Sequence, residues 1–245
     1  MRKILASSPL ISVIIPVFNA VDFLDVAIWS IINQTYQNWE LILVDDHSAD
    51  GSARIIKKYA NNYPNISGIF LKKHQGVAVA TNKALARAKG KYIARLDADD
   101  VALPNRLEKQ LHFLQNHPDV IVVGGQCQVI DRHGTVIGAK KFPTDHATIM
   151  KMLFHFYTVQ QPATMVNRAK LPKNFVWYLD SVPSAEEHEL LFRFLKYGTV
   201  FNLPTFVIQY RLHGKNISLQ KPRRDFYFII KKRCKAIFTY GFRPS

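Results

Sequence analysis

The rhythm of the first hundred residues constrains the fold more than any other feature. Ile11-Ser-Val-Ile-Ile-Pro-Val17 is a short, mostly β-branched run that stops at Phe18, Asn19 and Ala20. Leu24, Ile28, Ile31 and Ile32 then recur with the period of one helix face. Trp39 to Val44 reads as a second strand, ended by Asp45-Asp-His-Ser-Ala-Asp-Gly51. A helix from about Ser52 to Asn61 follows, then a strand near Ile66 to Leu71. A further helix from about Val77 to Lys89, with Gly90 as its C-cap, leads into the strand Lys91 to Leu96 and straight into Asp97-Ala-Asp-Asp100. Strand and helix alternating at this spacing require a parallel sheet with right-handed crossovers. Ligands of such sheets sit at the carboxyl ends of the strands, where the polar loops after the first, second and fourth strands converge.

The second half is less regular. Val120 to Gly124 and Gln126 to Ile130 read as strands, and Asp131-Arg-His-Gly134 as a hairpin turn into Thr135 to Ala139. Helices are expected near His146 to Phe154 and Glu187 to Tyr197, and strands near Thr199 to Leu203 and Thr205 to Leu212. There is no repeat, low-complexity run or linker. The expectation is an α/β fold: one domain with a Rossmann-like, mostly parallel sheet flanked by helices, its second half laid over the open end of the sheet. The domain spans residues 9–219, as halves 9–115 and 116–219, and a basic helical tail covers 220–245.

Charge narrows the partners without choosing among them. The formal net charge is +15, and residues 221–245 carry eight cations against Asp225, nearly half of that excess. Such a balance suits nucleic acid, anionic lipid or diphosphate-bearing small molecules. Two cysteines without a CxxC pair form neither a disulfide framework nor a zinc site, which points to a reducing cytoplasm. The N-terminal apolar run is too short for a signal peptide, and no stretch approaches the ~20 apolar residues of a membrane span. A cytoplasmic protein, free or on the inner face of the membrane, is expected. Phe226, Ile230, Cys234 and Ile237 share one helix face between Asp225 and Phe238, so the tail fits either a peripheral membrane contact or a helix docked on its own domain.

Four groups of residues can carry chemistry. Asp97, Asp99 and Asp100 crowd one strand end, where like charges call for a cation, and Mg²⁺ or Mn²⁺ prefers carboxylate oxygens. Asp97 and Asp99 share one side of an extended strand end. Asp100 also suits the N-cap or first turn of a helix at Pro104. Asp45 and Asp46 read either as acceptors for a nucleobase or ribose or as an Asx-turn before a cap at Ser48 or Asp50. Glu186 and Glu187, in Ser184-Ala-Glu-Glu-His-Glu-Leu190, are ordinary partners of a helix N-terminus or a general base facing the crevice. Tyr210-Arg-Leu-His-Gly-Lys-Asn-Ile-Ser218 is either a solvated loop or a diphosphate clamp, with His213 its foremost functional member.

Taken in order, these segments resemble the family 2 glycosyltransferases. The resemblance runs through Ile11 to Ala20, Ser30-Ile-Ile-Asn-Gln-Thr-Tyr36, Leu43 to Gly51, Leu96 to Asp100 with Pro104, Val123-Gly-Gly, Ala185 to Leu190 and Tyr210 to His213. It implies the glycosyltransferase A fold and metal-dependent, inverting transfer of one sugar from a nucleoside-diphosphate sugar, with UDP-sugar foremost. The acceptor it implies is a glycan or lipid-linked hydroxyl in lipopolysaccharide, capsule or other glycan assembly. Under this resemblance Pro16, Phe18, Asn19, Asp45, Asp46, Asn82, Ala98 and His213 serve the nucleotide-sugar, and Asp99 and Asp97 the Mn²⁺ or Mg²⁺. Asp97 also lies near the ribose, and Glu187, with Glu186 as competitor, takes the place of the catalytic base. Three positions depart from the family pattern: Glu187 for the usual Asp, His47 for a customary Gly, and Thr81 for the Arg that often precedes Asn82. A Gln-x-x-Arg-Trp motif of processive members is absent, so single transfer is expected. Three rivals remain: an inactive nucleotide-sugar-binding protein, a sugar nucleotidyltransferase whose Gly-rich loop is missing from Val17 to Ala20, and a basic nucleic-acid binder with acids lining its crevice.

Overall fold

The structure, a computed structural model, describes residues 8–154, 157–179, 186–214, 222–240 and 242; the side chains of 186, 188, 222–229 and 232 lie outside that description. The strands are β1 Ile11–Val17, β2 Trp39–Asp45, β3 Ile66–Phe70, β4 Tyr92–Arg95, β5 Val101–Ala102, β6 Val120–Ile130, β7 Val136–Lys140, β8 Met165–Asn167 and β9 Thr199–Arg211. The helices are α1 Val21–Ile32, α2 Ser52–Asn62, α3 Val77–Arg87, α4 Arg106–Asn116, α5 His146–Leu153, α6 Glu186–Phe194 and α7 Pro222–Tyr240.

The strands lie in one sheet in the order β3-β2-β1-β4-β8-β6-β9-β5, with β7 hairpinned onto β6. Neighbours β1, β2, β3 and β4 are parallel, as the alternation requires. The second half does not lie over the open end of this sheet. It extends the sheet through the three-residue antiparallel strand β8, then β6 and β9, which run parallel to each other. The expected strand pairs at 120–130 and 199–212 are single strands, each continuing through irregularities near Gly125 and Gln126.

Side-chain alternation builds a core on each face. Val13, Ile15, Leu41 and Leu43 meet the apolar faces of α1, α2 and α4, among them Ile28, Ile56 and Leu111. Ile14, Ile42, Val44 and Ile93 meet Ala84 of α3, Ile149 of α5 and Leu190 of α6. Arg106 is fully buried and stitches the layers: its Nη2 donates to the carbonyls of Arg95 (2.6 Å) and Thr164 (3.1 Å), and burial pulls its pKa down to about 10. Helix α3 stops at Arg87, short of Gly90. Gly90 serves a close approach instead: a Cβ there would lie 2.5 Å from the Ser12 nitrogen. No helix among the described residues is long and apolar enough to cross a membrane.

The tail helix packs against α5 and α6. Among the described side chains of α7, Ala236 is buried and packed with Leu153 and Phe192, while Ile230 and Cys234 face outward and Phe238 is 86% exposed. Glu189 of α6 sets this rotation by accepting from Lys235 Nζ (2.6 Å) and Tyr240 OH (2.5 Å). Phe226 and the cations Arg223, Arg224 and Lys232 have side chains outside the described set, as do residues Lys221 and Arg243 altogether.

Candidate active site

Parallel register brings the chemistry-bearing loops to one edge. Val17 pairs with Asp45 and Ile14 with Arg95, so the chain leaves β1, β2 and β4 at the same end of the sheet. The first two loops are locked together. Asn19 at φ 49° donates its amide to Ser48 Oγ and accepts from Ala49 N, while Asp50 accepts from Val21 N, Ser52 N and Ser52 Oγ. Gly51 rather than Ser48 or Asp50 is the cap residue of α2. His47 sits at φ 63°, the left-handed region. This explains why glycine suits the position and why a non-glycine residue there carries strain.

The two acids that end β2 have different surroundings. Asp45 is 4% exposed; Oδ2 accepts from Ser48 N at 3.3 Å, and Oδ1 has no hydrogen-bond partner among the described residues. A buried acceptor left open is costly and fits a ligand's N–H or O–H. Asp46 is instead spent on the fold: it accepts from Gln75 N and Gly76 N at 2.7 Å each and meets His74 Nδ1 at 2.9 Å. These bonds fix the loop before α3. The exposed ring of Phe18 stacks on His74 with centroids 4.0 Å apart, forming an aromatic wall beside Asp45 that the sequence did not reveal. Pro16 lies within β1 opposite Val44.

At the end of β4, one ligand atom from each of Asp97, Asp99 and Asp100 falls within 4.8 Å of the others. Burial first, then neighbouring acids, raise the pKa of Asp99 and hold that of Asp100 well above the usual carboxylate range. Crowded hard oxygens that resist ionisation fit a divalent cation such as Mg²⁺ or Mn²⁺. Asp99 Oδ2 meets His213 Nε2 at 2.8 Å, and the His213 ring lies 4.8 Å from that of Phe23. Asp100 is no helix cap, since α4 starts at Arg106 after Asn105. Its Oδ1 accepts from Arg211 N at 2.9 Å, and its buried Oδ2 has no hydrogen-bond partner among the described residues. Arg211 is buried and structural: Nε donates to the Asp99 carbonyl, and Nη1 to the carbonyls of Asp131 and Arg132. Ala98 packs into the core, so only its main chain can reach a ligand.

Glu187 lines a cavity of about 50 Å³ with Arg95, Thr81, Gln161 and Tyr178 among apolar side chains of the sheet, α3 and α6. Arg95 Nη2 donates 2.8 Å to Asp97 Oδ1, which connects this cavity to the acidic cluster. Asn82 latches onto Tyr178: its amide donates to the Tyr178 carbonyl at 2.8 Å and accepts from Tyr178 N at 3.1 Å. Gln161 reinforces the same segment through Tyr178 OH. Glu186 opens α6, but its side chain, like residues Ser184, Ala185 and 215–218, lies outside the described set.

With this geometry in place, comparison with known proteins decides the family. The family model described as Glycosyl transferase family 2 matches residues 12–172. The chain belongs to glycosyl transferase family 2. A relative from Haemophilus influenzae (strain ATCC 51907 / DSM 11121 / KW20 / Rd), named an uncharacterized glycosyltransferase, is 32% identical over 240 residues, covering 91% of this chain and 94% of its own. EpsE of Bacillus subtilis (strain 168), whose name marks it a presumed glycosyltransferase, is 45% identical over 139 residues, 56% of this chain and 50% of EpsE. The chain thus spans half the length of that relative. Among solved structures, S. aureus TarS 1–349 in complex with UDP-GlcNAc superposes with a TM-score of 0.77 at 21% identity, covering 94% of this chain and 66% of TarS. The mannosyltransferase PcManGT of Pyrobaculum calidifontis, in complex with GDP-Man and Mn²⁺, gives 0.69 at 17% identity, covering 96% and 72%. These likenesses establish the glycosyltransferase A architecture for this family 2 chain. The family match ends before α6, so Glu187 and His213 lie beyond it.

Proposed function

We propose that the protein transfers a single sugar from a nucleoside-diphosphate sugar, UDP-sugar being the first donor to test, to an acceptor hydroxyl with inversion at the anomeric carbon. The observation that carries this reading is the buried, open Oδ1 of Asp45 at the same sheet edge as the Asp97–Asp99 pair, in a family 2 chain. Asp45 accepts a hydrogen bond from the nucleobase, and the ring of Phe18 walls the base. Asp99, with Asp97 beside it, would hold Mn²⁺ or Mg²⁺, which when bound would supply positive charge against that of the departing diphosphate. Glu187 takes the proton of the acceptor hydroxyl as the new oxygen–carbon bond forms and the bond from the anomeric carbon to the diphosphate breaks. A placed general base contributes about 10²–10⁴-fold. The bound complexes named for TarS and PcManGT support donors of this class. The acceptor is a glycan or lipid-linked glycan, and the outward face of α7, with Ile230, Phe238 and exposed Lys231, rests on an anionic membrane surface.

The test is Glu187→Gln. Turnover of a UDP-sugar falls by at least about 10²-fold while UDP affinity stays within twofold of wild type. Unchanged turnover in this variant removes Glu187 from the role of base.

A further inference from the structure

Arg95 ends β4 with only 5% of its surface exposed, in a strand otherwise built from core residues. A buried guanidinium needs nearby anions and acceptors, and here they fix its direction. Nη1 donates to Thr81 Oγ1 at 2.7 Å and Nη2 to Asp97 Oδ1 at 2.8 Å. The Thr81 hydroxyl spends its own proton on the Val77 carbonyl at 2.7 Å, so a lone pair faces the guanidinium. The main chain of Arg95 is equally held, donating to the Thr164 carbonyl and accepting from buried Arg106. The fork is therefore rigid. The carboxylate it grips is not enclosed: the Asp97 side chain is 33% exposed and stands within 4.8 Å of the oxygens of Asp99 and Asp100.

We infer that Arg95 is a positioning residue whose guanidinium, oriented by Thr81, keeps one oxygen of Asp97 away from the metal and turns the other toward the donor. A carboxylate oxygen already paired with a guanidinium has less negative charge to give a cation. The metal is left with Asp99 as its principal carboxylate, and Asp97 becomes a hydrogen-bond acceptor for the donor. Arg95 acts through Asp97. This inference rests on the crevice being the donor site proposed above.

The consequence runs opposite to ordinary damage. Removing the guanidinium frees Asp97 to join the metal's ligands, so bare Mn²⁺ binds more tightly, while the donor loses a placed acceptor. Calorimetry of Mn²⁺ alone, and of UDP in saturating Mn²⁺, on wild type, Arg95→Met, Asp97→Asn and the double variant reads both effects. Arg95→Met is expected to bind Mn²⁺ about tenfold more tightly, and the same substitution in the Asp97→Asn background to change it by less than about twofold, as expected for residues in direct contact. In kinetics with a UDP-sugar, KM for the donor rises in Arg95→Met, and Arg95→Lys restores part of it. Thr81→Val keeps the charge and removes only the orienting acceptor, so it shifts Mn²⁺ affinity in the same direction by less, and serves if Arg95→Met does not fold. Folded Arg95→Met with unchanged or weaker Mn²⁺ affinity, or an equal change with and without the Asp97 carboxylate, overturns the inference. Wild type without Mn²⁺-dependent UDP binding overturns the donor-site reading itself.

Discussion

Single residues show where sequence and structure part. The placement of Asp45, Asp97 and Asp99 at one sheet edge was legible because the strands before them read as parallel neighbours. The structural bonds of Asp46, Asn82 and Arg211 were not legible because their partners are distant in sequence: the amides of Gln75 and Gly76, the backbone of Tyr178, and the carbonyls of Asp99 and Asp131. Arg95 did leave a signal, a lone cation in a buried apolar strand that runs into acids. Asp100 gives the sharpest prediction at this scale. Burial, then the charges of Asp99 and Asp97, hold its pKa well above the ordinary value. A raised folded-state pKa favours the fold below the unfolded value near ~3.9 and withdraws that help as pH climbs through the folded value. At pH 7, above the unfolded value, the buried acid is a cost to the metal-free protein. Calorimetric melts in chelator should therefore give Asp100→Asn a Tm at pH 7 a few degrees above wild type, at about 2–4 °C per kcal/mol, with the gap closing toward pH 4. A lower Tm at pH 7 would mean that the surrounding cations already compensate the charge.

At the scale of elements, periodicity located α1, α2 and α3 well, because one apolar face per helix is enough to specify them. It failed for β5 and β8, two and three residues long, which exist only through their partners β9, β4 and β6. Helix α7 is held on the domain by a polar clasp at Glu189. Burial alone would raise the pKa of Glu189, but hydrogen bonds from Lys235 and Tyr240 outweigh it and hold the group below its usual value. The stability gained is present above the ordinary glutamate range and lost as pH falls through the folded value. Glu189→Gln keeps shape and removes charge. Hydrogen exchange should then rise about tenfold across 222–240, a modest figure because Lys235 is 39% exposed, while β1 and β2 keep their protection. Unchanged exchange in α7 would show that Ala236 packing alone holds the helix.

At the scale of the molecule, the positive excess and the carboxylate crevice are separate features. The acids gather at the edge where β1, β2 and β4 end, while nearly half the excess charge lies in residues 221–245. Their separation along the sequence suits a small anionic donor for the acids and an anionic surface for the tail. Phe238 is the most exposed large apolar side chain among those described in α7. Phe238→Asp should cut co-sedimentation with vesicles containing anionic lipid by about tenfold, the order expected for losing one inserted aromatic. Equal binding by both proteins would leave the tail to its domain. The central claim is that the crevice acids need an ion and the ion brings a diphosphate. Calorimetric titration of UDP into wild type and Asp99→Asn, each with Mn²⁺ and with chelator, tests it most directly. The prediction is binding by wild type in Mn²⁺, at least about tenfold weaker in chelator, and little response to Mn²⁺ in Asp99→Asn. UDP affinity indifferent to both the ion and the Asp99 carboxylate would contradict it.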